Sequence, residues 1–518
     1  MRGLLPLGNQ EIEDALNSNR DIIAPPSSFA YLISLRAMRK PMLIITASSR
    51  AAEDLAKEIR ECHADTLEFP AWETLPHERL SPSSDTVAKR ISTLQALQDK
   101  NRNWVVVAPI RAVIHKFNSQ IVNTKPITLD RGLEFDLTDL QRQLVSFSYT
   151  RTDLVERRGE YAVRGGILDI FPPDQNHPIR VDFFGDEIEE ISYFAVADQR
   201  TSESISNPVN ILPCRELLIT DEIKERASEL SNKFENELLS KIGNGLLPEG
   251  MESLIPLLVE ELHLISQSMP DSFEAVFIER ERVVGRIADL LATNEEFREA
   301  AWSNAAVGGK APIEADSTYI DWDALVEQLP VRKDFRQFGS DEDLFLEIDP
   351  IEPLRGNSDR LISIFESALN EKKRVIFSAS SKGMIDRYAS IFRDANLPVQ
   401  LQYPFNAAPT SGHITLTASA FRHGFSDDDF IFITERDLTG SQSAGGEKLP
   451  SRRKKSIDPL QLRSGDYVVH EQHGIGRYVE MAQRSVGGVV REYLVIEYAP
   501  AKRGQPGDRI FVPTDALE

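Results

Sequence analysis

The sequence predicts a multidomain chain of α/β and α+β class that closes with a small β-barrel. Three observations predict it. Apolar strand-like runs alternate with amphipathic helical runs over 10–116 and again over 335–438, which implies parallel sheets. The stretches 125–212 and 459–518 change to short strands separated by turn residues. A length of 518 residues allows about three to five domains. With 41% hydrophobic and 27% charged residues, each has the composition to bury a core.

In the first α/β stretch, "PMLIIT" reads as a short apolar strand and "SSRAAEDLAKEIREC" as a helix. "DTVAKRISTLQAL" is a second helix, "WVVVAP" a buried strand, and "PIRAVIHKF" a further helix start. "FPAWETLPHERLSPSSD" is rich in Pro and aromatic residues, which marks a structured loop rather than a linker. Strand and turn over 125–212 end at "VNILPCREL". Residues 218–330 read as mostly helical, "ITDEIKERASELSNKFENELLSKI" being the clearest case. The second α/β stretch places strands "RVIFSAS", "HITLTAS" and "FIFITER" around the helix "SKGMIDRYASIFRDA". "LTGSQSAGGEKLPSRRKKSID" is Gly- and Ser-rich, then basic, the composition of a flexible linker. The strands "DYVVHEQ", "GIGRYVEMAQRSV", "VREYLVIEYA" and "RIFVP" follow in the pattern of a small barrel.

A formal net charge of −22 argues against sequence-independent DNA binding by the whole surface and favours a protein partner. No apolar run reaches membrane-spanning length, and "MRGLLPLGNQ" is too short and polar for a signal peptide, so a soluble, cytoplasmic chain without a membrane partner is expected. Cys62 and Cys214 make neither a disulfide framework nor a zinc site. Gly440 and Gly445 stand at phosphate-loop spacing, but Gly446 occupies the Lys position and no Ser or Thr follows to hold Mg²⁺. "GGKA" at 308–311 has the Lys but not the rest, and "PMLIITASSRAAED" has strand and helix without glycine or lysine. "HEQH" at 470–473 is one residue short of the zincin spacing and lies on a strand and turn, where the rings cannot meet as on a helix. No bound metal or ATP and no catalysis are expected of these residues. Acidic runs such as "GSDEDLFLEID" read as solvated loops and caps.

The stretch "RGEYAVRGGILDIFPPDQNHPIRVDFF" at 158–184 reads as two strands across a Pro-rich turn. Alternation puts Arg180, Asp182 and Phe184 on one face, and Ile179, Val181 and Phe183 on the other. If the aliphatic face meets a core, the other shows a cation, an anion and a ring, the composition of a binding hot spot. The alternative is an amphipathic hairpin with a solvated polar face.

"FPAWETLPHERLSPSSDTVAKRISTLQAL" followed by "RRGEYAVRGGILDIFPPDQNHPIRVDFFGDEIEEISYFAVADQRT" resembles the N-terminal module of the bacterial transcription-repair coupling factor family, which is similar to part of UvrB. "SGDYVVHEQHGIGRYVEM…REYLVIEYA" resembles the RNA-polymerase-interacting domain of the same family, found also in CarD-like regulators. The resemblance implies a domain series: 1–120, a degenerate UvrB-like (RecA-like) α/β domain; 121–212, a UvrA-binding α+β domain; 213–334, a largely helical second part of the UvrB-like module. It continues with 335–438, a small α/β domain; 439–458, a flexible basic linker; and 459–518, a Tudor/SH3-like barrel.

What the resemblance implies for function is recruitment without catalysis, bridging the β subunit of stalled RNA polymerase to UvrA in nucleotide excision repair. ATP, Mg²⁺ and most DNA contact would belong to a translocase motor that the family carries and this chain, ending at "FVPTDALE", lacks; a fragment or a truncated product is expected. Arg164, Arg180 and Phe184 match the family's UvrA-contact positions, with a structural pairing of Arg164 to Asp169 or Asp182 as the alternative. Leu494, Val495 and Ile496 match the strand that the family adds to a sheet edge of polymerase β. Alternation does not decide which of the three faces polymerase. A UvrB-like damage-verifying ATPase and a CarD-like transcription regulator are the competing readings.

Overall fold

The computed structural model describes residues 1–74, 80–234, 236–306, 318–340, 342–439, 467–470, 474–486, 489–497 and 509–513. "GGKA", most of the basic linker with Gly440, Gly445 and Gly446, and the last three residues of "HEQH" lie outside the described residues. The chain divides into two units, one of residues 1–294 and 304–443, the other of 295–303 and 444–518.

The first unit is built on a seven-stranded parallel sheet in the order Leu344–Phe345, Ile22–Ile23, Arg332–Arg336, Glu274–Ile278, Met42–Thr46, Val105–Pro109, Thr66–Glu68. "PMLIIT" is a continuous apolar run because both faces of its strand are covered. Met42 and Ile44 enter one core with Val105 and Val107, while Leu43 and Ile45 enter the opposite core with Val106 and Ala108. The helix Ser49–Cys62 follows, capped by the Ser48 side chain accepting from Ala51 N–H. It buries Ala52, Ala56, Ile59 and Cys62, one stripe at helical spacing.

One of the sheet's strands, Glu274–Ile278, comes from the stretch that reads as helical, and a second, Arg332–Arg336, lies at the end of that stretch. Glu274–Ile278 and Arg332–Arg336 sit side by side near the centre of the sheet. "RKDFR" carries four charged residues in five, so its pattern hides a strand. Buried partners satisfy the inner charges: Lys333 Nζ donates to Leu16 O at 2.5 Å, and Asp334 lies 3.2 Å from Arg336 Nε.

The domain inserted between the strands Val105–Pro109 and Glu274–Ile278 is zipped shut where it begins and ends, Ile127–Leu129 pairing antiparallel with Val209–Ile211. Inside it, six strands run in the order Thr201–Ser204, Glu187–Phe194, Ile179–Phe184, Ile167–Ile170, Glu160–Arg164, Thr150–Arg151. The helix Leu137–Ser146 covers one face, burying Leu140 and Leu144 against Leu168, Ile170, Ile179 and Val181. The loop "FPAW" is fixed where the inserted domain leaves. Arg90, with 0% exposure, lies 4.1 Å over the Phe69 ring and donates to Glu216 at 2.5 Å, and Trp72 Nε1 donates to the same carboxylate at 2.9 Å.

The small α/β domain has a second sheet, Asp349–Pro350, Phe425–Ser426, Phe430–Thr434, Arg374–Ala379, Ile414–Ala418, Val399–Leu401, whose last four strands are parallel. It shares a core with the larger module. The Tyr31 ring, on the helix Phe29–Ala37, lies 5.3 Å from that of Phe425 and 6.0 Å from that of Phe430.

In the second unit, four antiparallel strands run in the order Tyr467–His470, Gly474–Val486, Val489–Glu497, Arg509–Pro513. The expected closure into a Tudor/SH3-like barrel is not confirmed: among the described residues the four strands pair as an open sheet. Alternation specifies strands, whereas closure depends on stagger and tilt that alternation does not encode.

Candidate functional site

Two glycine turns build the first candidate surface. Arg164 pairs with Ile167 across Gly165–Gly166, and Phe184 with Glu187 across Gly185–Asp186. Gly165 at φ +61° and Gly185 at φ +65° adopt backbone that L side chains resist. A Cβ on Gly166 would meet Phe183 O at 2.9 Å, so the first turn sits tight on the neighbouring strand.

The register then decides which side chains share a face. Ala162, Asp169, Arg180 and Ser192 form one cross-strand row, and Arg164, Ile167, Asp182 and Glu190 the next. Both rows lie on the face opposite the core that holds Leu168, Ile179, Val181 and Ile191. Arg164, Arg180 and Phe184 therefore share one surface, and the solvent face of Ile179–Phe184 carries the cation, the anion and the ring as the alternation predicts. A bulge between Asp182 and Phe183 carries the row on toward Phe184.

The three side chains are not equivalent. Phe184 is 79% exposed, with no core contact. The Arg164 side chain is 51% exposed and reaches Asp169 Oδ2 at 3.9 Å. Arg180, at 16%, is occupied: Nε and Nη2 donate to the two Asp169 oxygens at 2.7 and 2.9 Å, and Nη1 to Gln199 O at 3.2 Å. Its guanidinium lies 4.9 Å over the Phe194 ring. The hydrogen bonds to Asp169 raise the Arg180 pKa above its ordinary value. Burial pushes the Asp182 carboxyl up, and Glu190, directly opposite, adds to the shift. Neither Phe194 nor Gln199 carries a sequence motif that points to this role. Gln199 is 19 residues from Arg180 and adopts a positive φ of 59°, a turn geometry without a sequence signature of its own.

The second candidate surface departs from expectation. Tyr493–Glu497 pairs with Gly474–Val486 on one side and with Arg509–Pro513 on the other. Leu494, Val495 and Ile496 therefore lie on an interior strand whose backbone is already paired, a position that does not fit the expected addition of this strand to a sheet edge of polymerase β. Val495 and Ile496 are adjacent yet 2% and 6% exposed, so both faces of the strand are covered at that point. Ile496 pairs with Tyr478, itself buried. Tyr467, on the edge strand Tyr467–His470, is 80% exposed.

Among the described residues no group of His, Cys, Asp and Glu is placed to hold a metal ion, and no helix is long and apolar enough to cross a membrane. Cys62 and Cys214 are free and buried, and burial pushes each thiol up to about 12.

Three family matches fall on this layout: the UvrB interaction domain on residues 127–217, the MFD D3 domain on 368–438, and the CarD-like/TRCF RID domain on 462–518. Among characterised relatives, the transcription-repair-coupling factor of Mycobacterium tuberculosis is 36% identical over 539 residues, covering 96% of this chain and 43% of its own length. That of Escherichia coli K12 is 27% identical over 515 residues, covering 92% and 42%. That of Staphylococcus haemolyticus is 25% identical over 549 residues, covering 98% and 45%. The chain thus spans less than half the length of the relatives it matches. With three domain matches in one order and a relationship running through nearly all of its residues, the chain belongs to the transcription-repair coupling factor family and corresponds to its N-terminal portion.

Proposed function

We propose that this chain is the recruitment part of transcription-repair coupling, holding UvrA at one end and the β subunit of RNA polymerase at the other, with no reaction of its own. The observation that carries the reading is the pairing, in one chain, of a UvrB interaction domain with a CarD-like/TRCF RID domain. UvrA docks on the outer face of the six-stranded sheet, where Phe184 and Arg164 project. A charge-assisted bond contributes roughly 1.5–3 kcal/mol and burial of a Phe about as much, so loss of both would weaken binding by several orders of magnitude. Polymerase docks on the four-stranded sheet. Because Leu494, Val495 and Ile496 are interior, strand addition there would have to use an edge such as Tyr467–His470.

The turn that follows the strand Ile22–Ile23 and opens the helix Phe29–Ala37 supports the absence of nucleotide chemistry. It reads Ala24-Pro25-Pro26-Ser27-Ser28, two residues of which offer no N–H to a phosphate, and the Ser28 hydroxyl donates back to Pro25 O at 2.8 Å. A translocase that removes stalled polymerase with ATP, Mg²⁺ and DNA belongs, on this reading, to the whole family protein. Capture assays with purified UvrA and polymerase β, separately, are expected to retain the chain in both cases. Failure of either removes that end of the bridge. DNA-stimulated ATP turnover above a mock preparation would favour the UvrB-like ATPase reading, and polymerase binding without UvrA binding the CarD-like one.

A further inference from the structure

We propose that Asp169 is the positioning residue of the UvrA-facing surface, and that Arg180 acts through it rather than on the partner. This rests on the assignment of that surface to UvrA. Asp169 is 2% exposed and lies on the central strand Ile167–Ile170, facing outward between the strands that carry the two arginines. Such a carboxylate is retained at a buried position only when paired and hydrogen-bonded. Arg180 supplies the pairing with two near-parallel bonds at 2.7 and 2.9 Å, the planar fit that a guanidinium makes and an ammonium cannot. Arg180 is itself fixed by Gln199 O and by the Phe194 ring. Little of it remains for a partner.

Arg164 stands differently. It approaches diagonally from the strand Glu160–Arg164 and comes to 3.9 Å of Asp169 Oδ2, beyond hydrogen-bond length, with half of its side chain in solvent. The attraction biases a long flexible side chain toward one orientation while leaving its donors open. Restricting rotamers before contact reduces the ordering cost of binding. The face therefore divides its labour. Phe184 and Arg164 meet the partner, Asp169 aims Arg164, and Arg180 holds Asp169 in place.

A double-mutant cycle on the full chain tests this, with UvrA affinity and thermal unfolding measured for each variant. Arg164→Ala and Phe184→Ala are expected to melt with the parent and to bind at least tenfold more weakly. Asp169→Asn is expected to weaken binding about tenfold in the parent but less than twofold in the Arg164→Ala background, because the residue it acts through is gone. If Asp169→Asn does not fold, Arg180→Lys, which keeps the charge but not the two-pronged fit, takes its place in the cycle. An equal loss in both backgrounds, or no loss in either, overturns the positioning role. Full binding by Arg164→Ala and Phe184→Ala would instead overturn the assignment of the surface to UvrA, so the two failures are distinct.

Discussion

The strands Ile179–Phe184 and Val489–Glu497 occupy comparable places, each interior to an antiparallel sheet and each paired on both sides. Their surfaces differ. In the first, buried and half-buried residues alternate up to an exposed Phe184, so one face is open. In the second, Val495 and Ile496 are buried in succession, so neither face is open there. A residue on an open face can be changed at little structural cost, and its loss reads out as lost binding. A residue on a closed strand cannot be changed without unfolding its surroundings, so lost binding there does not identify a contact.

The largest expected effect is Ile496→Arg. It places a charge where the parent side chain is 6% exposed, and should destabilise the four-stranded sheet by about 4 kcal/mol or more. Hydrogen exchange should show protection lost across 467–497 together with polymerase binding. Retention of protection would reopen this strand as a contact surface.

Next comes Arg180→Ala, which strands the buried Asp169 carboxylate and is expected to cost about 3 kcal/mol in urea unfolding. An unchanged midpoint would place Arg180 with Phe184 on the open side of the comparison. A smaller effect tests burial at the junction of the two α/β domains. Glu58 accepts from Arg422 N–H at 2.9 Å, and burial pushes its pKa from 4.5 up to about 7. Between those values the unfolded chain has lost the proton that the folded chain keeps, so stability from this site falls as pH rises through that window and stays low above it. Glu58→Gln keeps an acceptor and removes the ionisation. It should gain stability at pH 8 and almost none near pH 4.5; a gain that does not vary with pH would contradict the assignment.

Much of this architecture was legible because burial writes itself into residue pattern. "PMLIIT" and "WVVVAP" read as buried strands since both faces of each meet a core, and "IRVDFF" read as half-buried since one face does not. "RKDFR" was not legible, because a central strand that satisfies its charges internally has the composition of a surface segment. The site was legible as a face but not as a set of roles. Alternation places Arg180 and Phe184 together; the pairing with Asp169, which withdraws one and leaves the other, depends on cross-strand register. The same limit explains 494–496: a strand's pattern does not tell whether it lies at an edge or between neighbours, nor whether a sheet closes.

Phe184→Ala carries the smallest expected change in stability and the most direct test of the account. With 79% of the residue in solvent, its removal should move the folding free energy by no more than about 0.5 kcal/mol. If UvrA buries this ring, its loss costs about 2–3 kcal/mol of binding, roughly a 30- to 150-fold weaker Kd. The measurement is the UvrA dissociation constant of the parent and of Phe184→Ala, with matched thermal unfolding. The account predicts coincident melting curves and the loss of affinity in that range. Coincident melting with equal affinity would contradict it.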